Sequence, residues 1–312
     1  MAAAAQVVKR ARAKRSSNTL SGLLFCLPAL VGLAALTVYP VAASLYYSFC
    51  NYSVLKPPMW IGTGNYERLA TDELFFRSLW NTVYFAALAV PIGIVVAFLL
   101  ALLLNVKVRG MTVYRTTFYV PSIVPMVASA VLWIWLFNPQ SGAVNAILRH
   151  VPGVANPPGW LSDPAWAKPT IVLWSVWGVG NTVVIFLAGL QGVPKDLYEA
   201  AEVDGASAWQ KVRAITVPYM SPYVLFALVM GLIGSFQFFT PAMVMTNGTG
   251  GPADSTMFYA LNLFHRAFSD FKMGYACAMA WVLFVLVVLA TIAVFKSSAR
   301  FVYYESGEGG AA

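Results

Sequence analysis

Six stretches of the chain contain no Lys, Arg, Asp or Glu, and they alternate with short charged segments. These uncharged stretches are residues 16–55, 79–106, 116–148, 169–194, 214–253 and 273–295. A helix needs about 20 mostly apolar residues to cross the hydrocarbon core of a bilayer, so each stretch is long enough for one span. We therefore predict an all-α polytopic membrane protein with six transmembrane helices. The predicted spans are residues 20–48, 79–105, 114–137, 169–191, 222–246 and 274–296.

The apolar runs are continuous rather than alternating, which favours helices over a transmembrane β-barrel. Prolines within the runs, such as Pro91, Pro121 and Pro125, would argue for helix breaks in a soluble protein. Neighbouring helices of a membrane bundle can satisfy the freed carbonyl groups, so we interpret these prolines as kinks. The composition agrees with a lipid environment, because only 10% of the residues are charged, against about 25% in a typical soluble domain.

Lysine and arginine are unevenly divided between the segments that connect the spans. With the N-terminus in the cytoplasm, 13 of these 20 residues fall in cytoplasmic segments and 7 in outer ones, as the positive-inside rule requires. We predict a basic cytoplasmic segment at 1–19, a six-helix transmembrane domain at 20–297 and a cytoplasmic tail at 298–312. A cytoplasmic loop is predicted at 192–221. The first apolar run is too long for a cleaved signal peptide, so we interpret it as a span.

Ionisable residues fall in loops, tails and span ends, and none lies in the middle of a predicted span. Proton-coupled carriers usually bury such groups at mid-membrane, so that class is disfavoured, whereas sodium held by carbonyl groups remains open. The sequence has no zinc-protease motif and no phosphate-binding loop, so any ATP must be bound by another chain. We expect no catalytic residue and no metal site. Cys26, Cys50 and Cys277 lack metal-site spacing, and a disulfide between Cys50 and Cys277 stays open.

One cytoplasmic loop is rich in charge, because residues 196–210 spell DLYEAAEVDGASAWQ. Asp196 and Glu199 have the spacing of a capping box, which would start a short helix. Gly205 can take the left-handed conformation that ends it. Ser207 and Gln210 have the spacing of a second capping box. We predict two short helices here, with Pro218 and Pro222 marking the start of the fifth span.

Two partners could explain this loop. An amphipathic hairpin could rest on lipid headgroups, but a helix on anionic lipid favours Lys and Arg on its polar face. Four carboxylates favour a protein partner instead. The alanines at 200, 201, 206 and 208 keep the surface low, so that another backbone could approach closely.

The loop resembles the EAA loop of bacterial ABC importer permeases, specifically the carbohydrate-uptake type that includes maltose and glycerol-3-phosphate permeases. The resemblance is carried by Glu199-Ala200-Ala201, Asp204-Gly205-Ala206, Ile215 and Pro218. The outer segment that starts at Thr249-Gly250-Gly251-Pro252 fits the same family. Family members often have Phe where Val212 stands and Leu where Val217 stands, and both departures keep an apolar side chain.

This resemblance implies a type I ABC importer permease fold with a cytoplasmic helix-turn-helix coupling loop. Expected partners are a second permease subunit, two cytoplasmic ATPase subunits and an extracytoplasmic solute-binding protein, with no nucleic acid. ATP and Mg²⁺ would be bound by the ATPases, and no cofactor by this non-catalytic chain. The family's coupling role would fall on Asp196, Leu197, Glu199, Ala200, Ala201, Asp204, Gly205 and Ala206.

The resemblance also places a sugar path between two permease subunits near mid-membrane. Aromatic faces and neutral hydrogen-bonding side chains hold sugars. Candidates within the predicted spans are Trp177, Asn181, Phe236, Gln237 and Phe239, with Trp133, Trp135, Trp174 and Phe238 beside them. The two amides should face the bundle interior, either for solute or to bond a neighbouring helix. The tryptophans could instead belong to an interfacial belt. The absence of deep positive charge favours a neutral solute.

We hypothesise that the chain is a permease subunit of the bacterial inner membrane that translocates a sugar or oligosaccharide inward, driven by ATP hydrolysis on partner ATPases. One alternative is a stand-alone sodium-coupled or facilitative carrier, which would have no use for a capped acidic docking loop. Another is a six-span scaffold, which would have no use for amides beside aromatic residues within its spans. The sequence does not specify which sugar is carried.

Overall fold

The computed structural model describes residues 22–106, 108–152, 156–298 and 302, and helices dominate this range. In the first part, two long helices enclose an antiparallel two-stranded hairpin and a short helix. These elements are α1 (Gly22–Ser48), β1 (Cys50–Ser53), β2 (Lys56–Trp60), α2 (Gly64–Leu69) and α3 (Glu73–Leu104). Five helices follow, which are α4 (Met111–Ile123), α5 (Met126–Leu136), α6 (Ala143–Leu148), α7 (Pro164–Trp177) and α8 (Gly180–Gly192).

The last part of the chain begins with the charged segment and ends with a long apolar helix. Its elements are α9 (Lys195–Val203), α10 (Ala208–Phe236), α11 (Thr240–Met245), α12 (Tyr259–Phe264) and α13 (Met273–Ser298). A π-helical turn, His265–Ser269, continues α12. A 3₁₀ turn, Trp160–Ser162, precedes α7.

Four of the described helices, α1, α3, α10 and α13, are long and apolar enough to cross a membrane. Two further pairs pass the same test together, but each pair is bent. The pair α4 and α5 turns by 96°, and the pair α7 and α8 turns by 45°. The structure therefore offers four spans, or up to six if each bent pair counts as one. The second helix begins at Glu73, six residues before its predicted start, because Asp72 caps it there with bonds to two backbone N–H groups.

The helix predicted at 222–246 is displaced in the structure. It begins at Ala208 and runs to Phe236 without interruption, so the second short helix of the charged loop is the start of this long helix. Pro218 does not break it, because a π-helical turn at Val212–Thr216 precedes the proline. The longer turn shifts the hydrogen-bond register just before Pro218, so the helix continues although proline donates no N–H.

Three of the central helical segments contain an interruption. Val124 is extended before Pro125, as a residue preceding proline prefers, and this separates α4 from α5. Gly178 and Val179 separate α7 from α8. Residues 237–239 separate α10 from the short helix α11. Irregular backbone within a bundle is tolerated where it is buried in protein or lines a cavity.

Two separate core clusters define opposite ends of the bundle. One contains Leu104 at the end of α3, Leu190 near the end of α8 and Met220 in the first half of α10. Gly189 allows α8 to approach α10 closely there, because an added Cβ at this position would lie only 2.9 Å from the Met220 sulfur. The other cluster combines Phe75 at the start of α3 with residues of α12 and of the start of α13. The charged segment, α9, which follows α8, therefore lies at the end of the bundle where α3 finishes.

The opposite end carries the strand hairpin. Cys50 pairs with Trp60 in the β1–β2 ladder. Asn65 of α2 fixes the hairpin to α1, since its Nδ2 donates to the carbonyls of Ser48 at 2.8 Å and of Cys50 at 2.9 Å. Among the described residues, Cys50 and the other two cysteines are free thiols.

Candidate functional site

The charged hairpin consists of α9 and the first turns of α10, joined at Asp204-Gly205-Ala206. Gly205 has a φ of +73°, the left-handed conformation predicted for it. Its N–H donates to the carbonyl of Glu202 at 3.0 Å, and the N–H of Ala206 donates to the carbonyl of Ala201 at 2.9 Å. This pair of bonds is a Schellman motif, which satisfies the free carbonyls at the end of α9.

The two predicted capping boxes have different outcomes. The Ser207–Gln210 box is confirmed, because each residue bonds the backbone N–H of the other, at 2.7 and 3.3 Å. The box predicted for Asp196 and Glu199 is wrong, because α9 begins at Lys195 with Pro194 in the capping position. Asp196 lies instead in the first turn of the helix, where its charge complements the positive end of the helix dipole.

Side-chain contacts join the two parts of the hairpin, α9 and the first turns of α10. The hydroxyl of Tyr198 lies 2.8 Å from Oγ1 of Thr216. Nζ of Lys211 donates to Oε1 of Glu202 at 2.6 Å. This hydrogen bond and the charge of Lys211 lower the pKa of the Glu202 carboxyl. These two contacts link α9 to the first turns of α10.

The outer surface of the hairpin combines carboxylates with exposed apolar side chains. Asp196, Glu199 and Asp204 are exposed. Val203 retains 89% of its exposure and Leu197 retains 47%. Of the remaining predicted coupling residues, Ala200 and Gly205 are exposed, while Ala201 and Ala206 are half-buried. Exposed apolar groups beside charges are a combination that suits contact with another protein.

A cavity of about 430 Å³ lies where the three central interruptions meet. Four of the five predicted path residues line it, namely Trp177, Asn181, Gln237 and Phe239, and so do Trp174 and Phe238. Phe236 does not line it and is buried at the end of α10. Trp133 stacks on Phe137 within the core instead, and Trp135 is 77% exposed.

The side-chain amides of the two predicted residues differ from polar side chains that bond one helix to another. Asn181 and Gln237 line the cavity and are exposed, and their side-chain amides make no hydrogen bond to any residue in the described part of the chain. The alternative that each bonds a neighbouring helix within this chain is therefore wrong for the described residues. Trp174 shows the contrasting case, because its Nε1 donates to Oγ of Ser129 at 2.8 Å.

Six hydroxyl side chains at the cavity were missed by the sequence reasoning. They are Ser122, Ser129, Ser175, Thr182, Ser235 and Thr240. Hydroxyls are common in apolar helices, so their type alone does not mark a site. Pro125 and Gly178 stand at two of the interruptions beside the cavity, but other prolines of the chain leave their helices unbroken, so residue type alone does not mark these breaks. No charged side chain lines the cavity within the described residues, and no group of His, Cys, Asp or Glu there could hold a metal ion.

Comparison with known proteins gives one family and several curated relatives. The profile of the family described as "Binding-protein-dependent transport system inner membrane component" matches residues 89–302. The probable ABC transporter permease protein YesP of Bacillus subtilis (strain 168) is 42% identical over 306 residues, covering 97% of this chain and 98% of that protein. The lactose transport system permease protein LacF of Rhizobium radiobacter is 34% identical, covering 89% and 94%.

Similar proteins also include the sn-glycerol-3-phosphate transport system permease protein UgpA of Yersinia pestis bv. Antiqua. It is 31% identical over 287 residues, covering 90% of this chain and 95% of that protein. Among solved structures, a chain of the bacterial alginate ABC transporter in complex with alginate pentasaccharide-bound periplasmic protein has a TM-score of 0.81. Its identity is 22%, and the match covers 92% of this chain and 96% of that chain. This likeness shows the type I importer permease fold.

Proposed function

Since the chain belongs to the family of binding-protein-dependent inner membrane transport components, as an ABC permease of the carbohydrate-uptake type, we propose that it carries a sugar or oligosaccharide into the cytoplasm. The chain is a multi-pass subunit of a sugar importer. In the proposal, ATP hydrolysis on two separate ATPase subunits supplies the energy, and those subunits bind ATP and Mg²⁺. This chain then contributes the path and the coupling surface, and no covalent chemistry.

The proposed coupling surface is the charged hairpin, with Asp196, Glu199 and the Asp204-Gly205-Ala206 corner as its contact residues. The observation that carries the proposal is the continuity of α10. This helix of 29 residues joins the hairpin at Ala208 to the cavity at Ser235, a distance of about 40 Å at 1.5 Å per residue. A movement imposed on the hairpin by ATPase closure would travel along a rigid helix and reshape the cavity wall. A ligand-driven closure can bias two arrangements in this way when it fits one of them better.

The proposed sugar path is the cavity. Trp174, Trp177 and Phe239 offer aromatic faces, and the two free amides offer both donors and acceptors. LacF is named for lactose and UgpA for sn-glycerol-3-phosphate, so relatives are associated with neutral and with phosphorylated solutes. We favour a neutral sugar here, because no charged side chain lines the cavity in the described range.

The assembly we propose contains a second permease subunit, which completes the path, and an extracytoplasmic solute-binding protein. The positive-inside count supports placing both termini and the hairpin in the cytoplasm. The end that carries the strand hairpin then faces the binding protein. The family description, which names binding-protein dependence, supports this arrangement.

The experiment compares sugar uptake into vesicles by this chain alone and by the complete importer. We expect uptake and ATP hydrolysis only with the complete importer. Glu199→Lys should reduce ATP-driven uptake at least tenfold, because Glu199 is exposed and its charge would meet the docked ATPase. Glu199→Gln, which keeps the shape, is the matched control and should retain most activity.

Two outcomes would contradict different parts of the proposal. Unchanged uptake by the Glu199→Lys importer would remove the coupling assignment. Robust ATP-independent uptake by the chain alone would favour the stand-alone carrier instead.

A further inference from the structure

A second, polar cavity of about 280 Å³ lies at the end opposite the charged hairpin. It is enclosed by β1, α2, the start of α3, the π turn after α12 and the start of α13. Its walls carry three cations, Arg68, Arg266 and Lys272, and one carboxylate, Asp72. This composition contrasts with the central cavity, whose described lining is uncharged.

The single carboxylate of this pocket is fully engaged by the fold. Oδ1 of Asp72 accepts the backbone N–H groups of Leu74 and Phe75, as the N-cap of α3. Oδ2 accepts Nη2 of Arg266 at 2.9 Å and the Tyr275 hydroxyl at 2.6 Å. Asp72 therefore has no capacity left for the other two cations.

One of the three cations is paired within the fold, whereas the other two lie at the rim of the pocket. Arg266 is held by Asp72 and Asp270, with its side chain 20% exposed, and its buried Nε has no hydrogen-bond partner among the described residues. Arg68 and Lys272 are exposed at the rim and have no ion pair within the described part of the chain. The lining contains three cations and one carboxylate, and Asp270 adds a second negative charge beside Arg266. The pocket is thus a recess with two exposed cations at its rim and a paired cation within it.

We propose that this pocket receives a carboxylate side chain of the extracytoplasmic solute-binding protein when that protein docks on the importer. The inference rests on the proposed function, which places this end of the bundle outside the cell. Three observations favour this occupant. At about 280 Å³ the recess lies at the lower limit of ordinary ligand pockets, so it suits one side chain better than an oligosaccharide. Its free cations lie at an open rim. Its charge is complementary to an acid, which is how interfaces gain specificity and association rate.

The test measures binding of the solute-loaded binding protein to the purified complete importer, with Arg68→Gln and Lys272→Gln combined in this chain. We expect docking to weaken about tenfold and its salt dependence to become shallower, because both substituted charges lie at the rim. The matched control is Arg77→Gln, which removes one charge from the same end but outside the pocket, where Arg77 pairs with Asp254. This control should dock normally.

A double-mutant cycle then identifies the incoming carboxylate. Each exposed Asp or Glu on the docking face of the binding protein is replaced by its amide. One such change should weaken docking to the unmodified importer but have little further effect on the Arg68→Gln and Lys272→Gln importer.

Equal docking of the doubly substituted and unmodified importers would overturn this inference alone. So would a loss in the Arg77→Gln control as large as in the double variant, since the effect would then reflect general charge. If the unmodified importer fails to bind any solute-binding protein, the proposed function fails and this inference falls with it.

Discussion

Replacing Asp72 separates two contributions of one side chain, the capping of α3 and the charge that faces Arg266. Asp72→Asn keeps a capping acceptor, because Asn caps helices as well as Asp does. It removes the charge from a pair whose side chains are 19% and 20% exposed. A hydrogen bond to a charged group contributes about 1.5–3 kcal/mol. Partial solvent screening reduces this, so we expect Asp72→Asn to cost about 1–2 kcal/mol.

Asp72→Ala should cost more, because it also removes the cap of α3. Loss of an N-cap adds about 1 kcal/mol, which gives a total of about 2–3 kcal/mol. The matched control is Asp270→Asn, which removes the other partner of Arg266. That pair is more exposed, 37% at Asp270, so its loss should cost less than about 1 kcal/mol. Reversible unfolding of the purified chain in detergent measures all three variants at neutral pH.

The pH dependence gives an independent check on the charge. Burial opposes ionisation of Asp72, but the Tyr275 hydroxyl, the Arg266 guanidinium and two backbone N–H groups outweigh it and lower the pKa of this carboxyl. A group with a lower pKa in the folded state contributes stability above its unfolded pKa, and this is lost as the pH falls through the folded pKa.

The stability gap between the unmodified chain and Asp72→Asn should therefore be constant from about pH 5 to 8 and shrink below about pH 4. A gap that widens on acidification would refute the reasoning. So would an Asp270→Asn variant as unstable as Asp72→Ala.

Two further predictions concern the cavity and the hairpin. Gln237→Leu should lower sugar uptake by the complete importer about tenfold, because an amide that bonds the solute is lost. Phe236→Leu, at a neighbouring position outside the cavity, should change uptake less than about twofold, and equal losses would contradict the assigned path. Glu202→Lys and Lys211→Glu should each lower the sugar transported per ATP, and the double exchange should restore it by re-forming the pair. Failure of restoration would show that this pair does not tie α9 to α10.

Features set by local rules could be predicted from the sequence. The charge-free runs gave α1, α3 and α13, because a bilayer demands about 20 apolar residues in each span. Gly205 and the Ser207–Gln210 box followed from the geometry of helix ends. The Asp196 box failed because the spacing rule takes no account of Pro194, whose fixed φ starts the helix two residues earlier.

The positions of the helix interruptions depend on packing and could not be predicted. Pro91 and Pro121 lie within helices, whereas Pro125 follows the 96° turn between α4 and α5. All three have the same local chemistry. Whether a proline breaks its helix depends on its surroundings. The helix continues where neighbouring groups satisfy the freed carbonyls, and it is interrupted where the backbone lines a cavity. Pro218 adds a further case, because the π turn before it keeps α10 continuous.

The types of residue at the candidate site could be predicted from the sequence, but the exact set of residues that line the cavity could not. Placing a side-chain amide within an apolar run costs free energy unless the amide bonds a solute or a neighbouring helix. This argument identified Asn181 and Gln237. Phe236, an aromatic residue beside Gln237 in the same predicted span, is also predicted to line the path. However, Phe236 is the last residue of α10 and is buried, while Gln237 lies beyond the helix and lines the cavity. The polar pocket around Asp72 joins residues about 200 positions apart in the chain, so no local pattern marks it.

The central claim is that the hairpin passes ATPase movement through α10 to the cavity. Its most direct test is the number of sugar molecules transported per ATP hydrolysed, measured in vesicles containing the complete importer. Gly205→Val strains the left-handed corner at φ +73° by about 1–2 kcal/mol, whereas Gly205→Asn tolerates that conformation. We predict that Gly205→Val retains ATP hydrolysis but loses most transport per ATP, and that Gly205→Asn stays close to the unmodified importer. Equal transport per ATP in all three would contradict the claim.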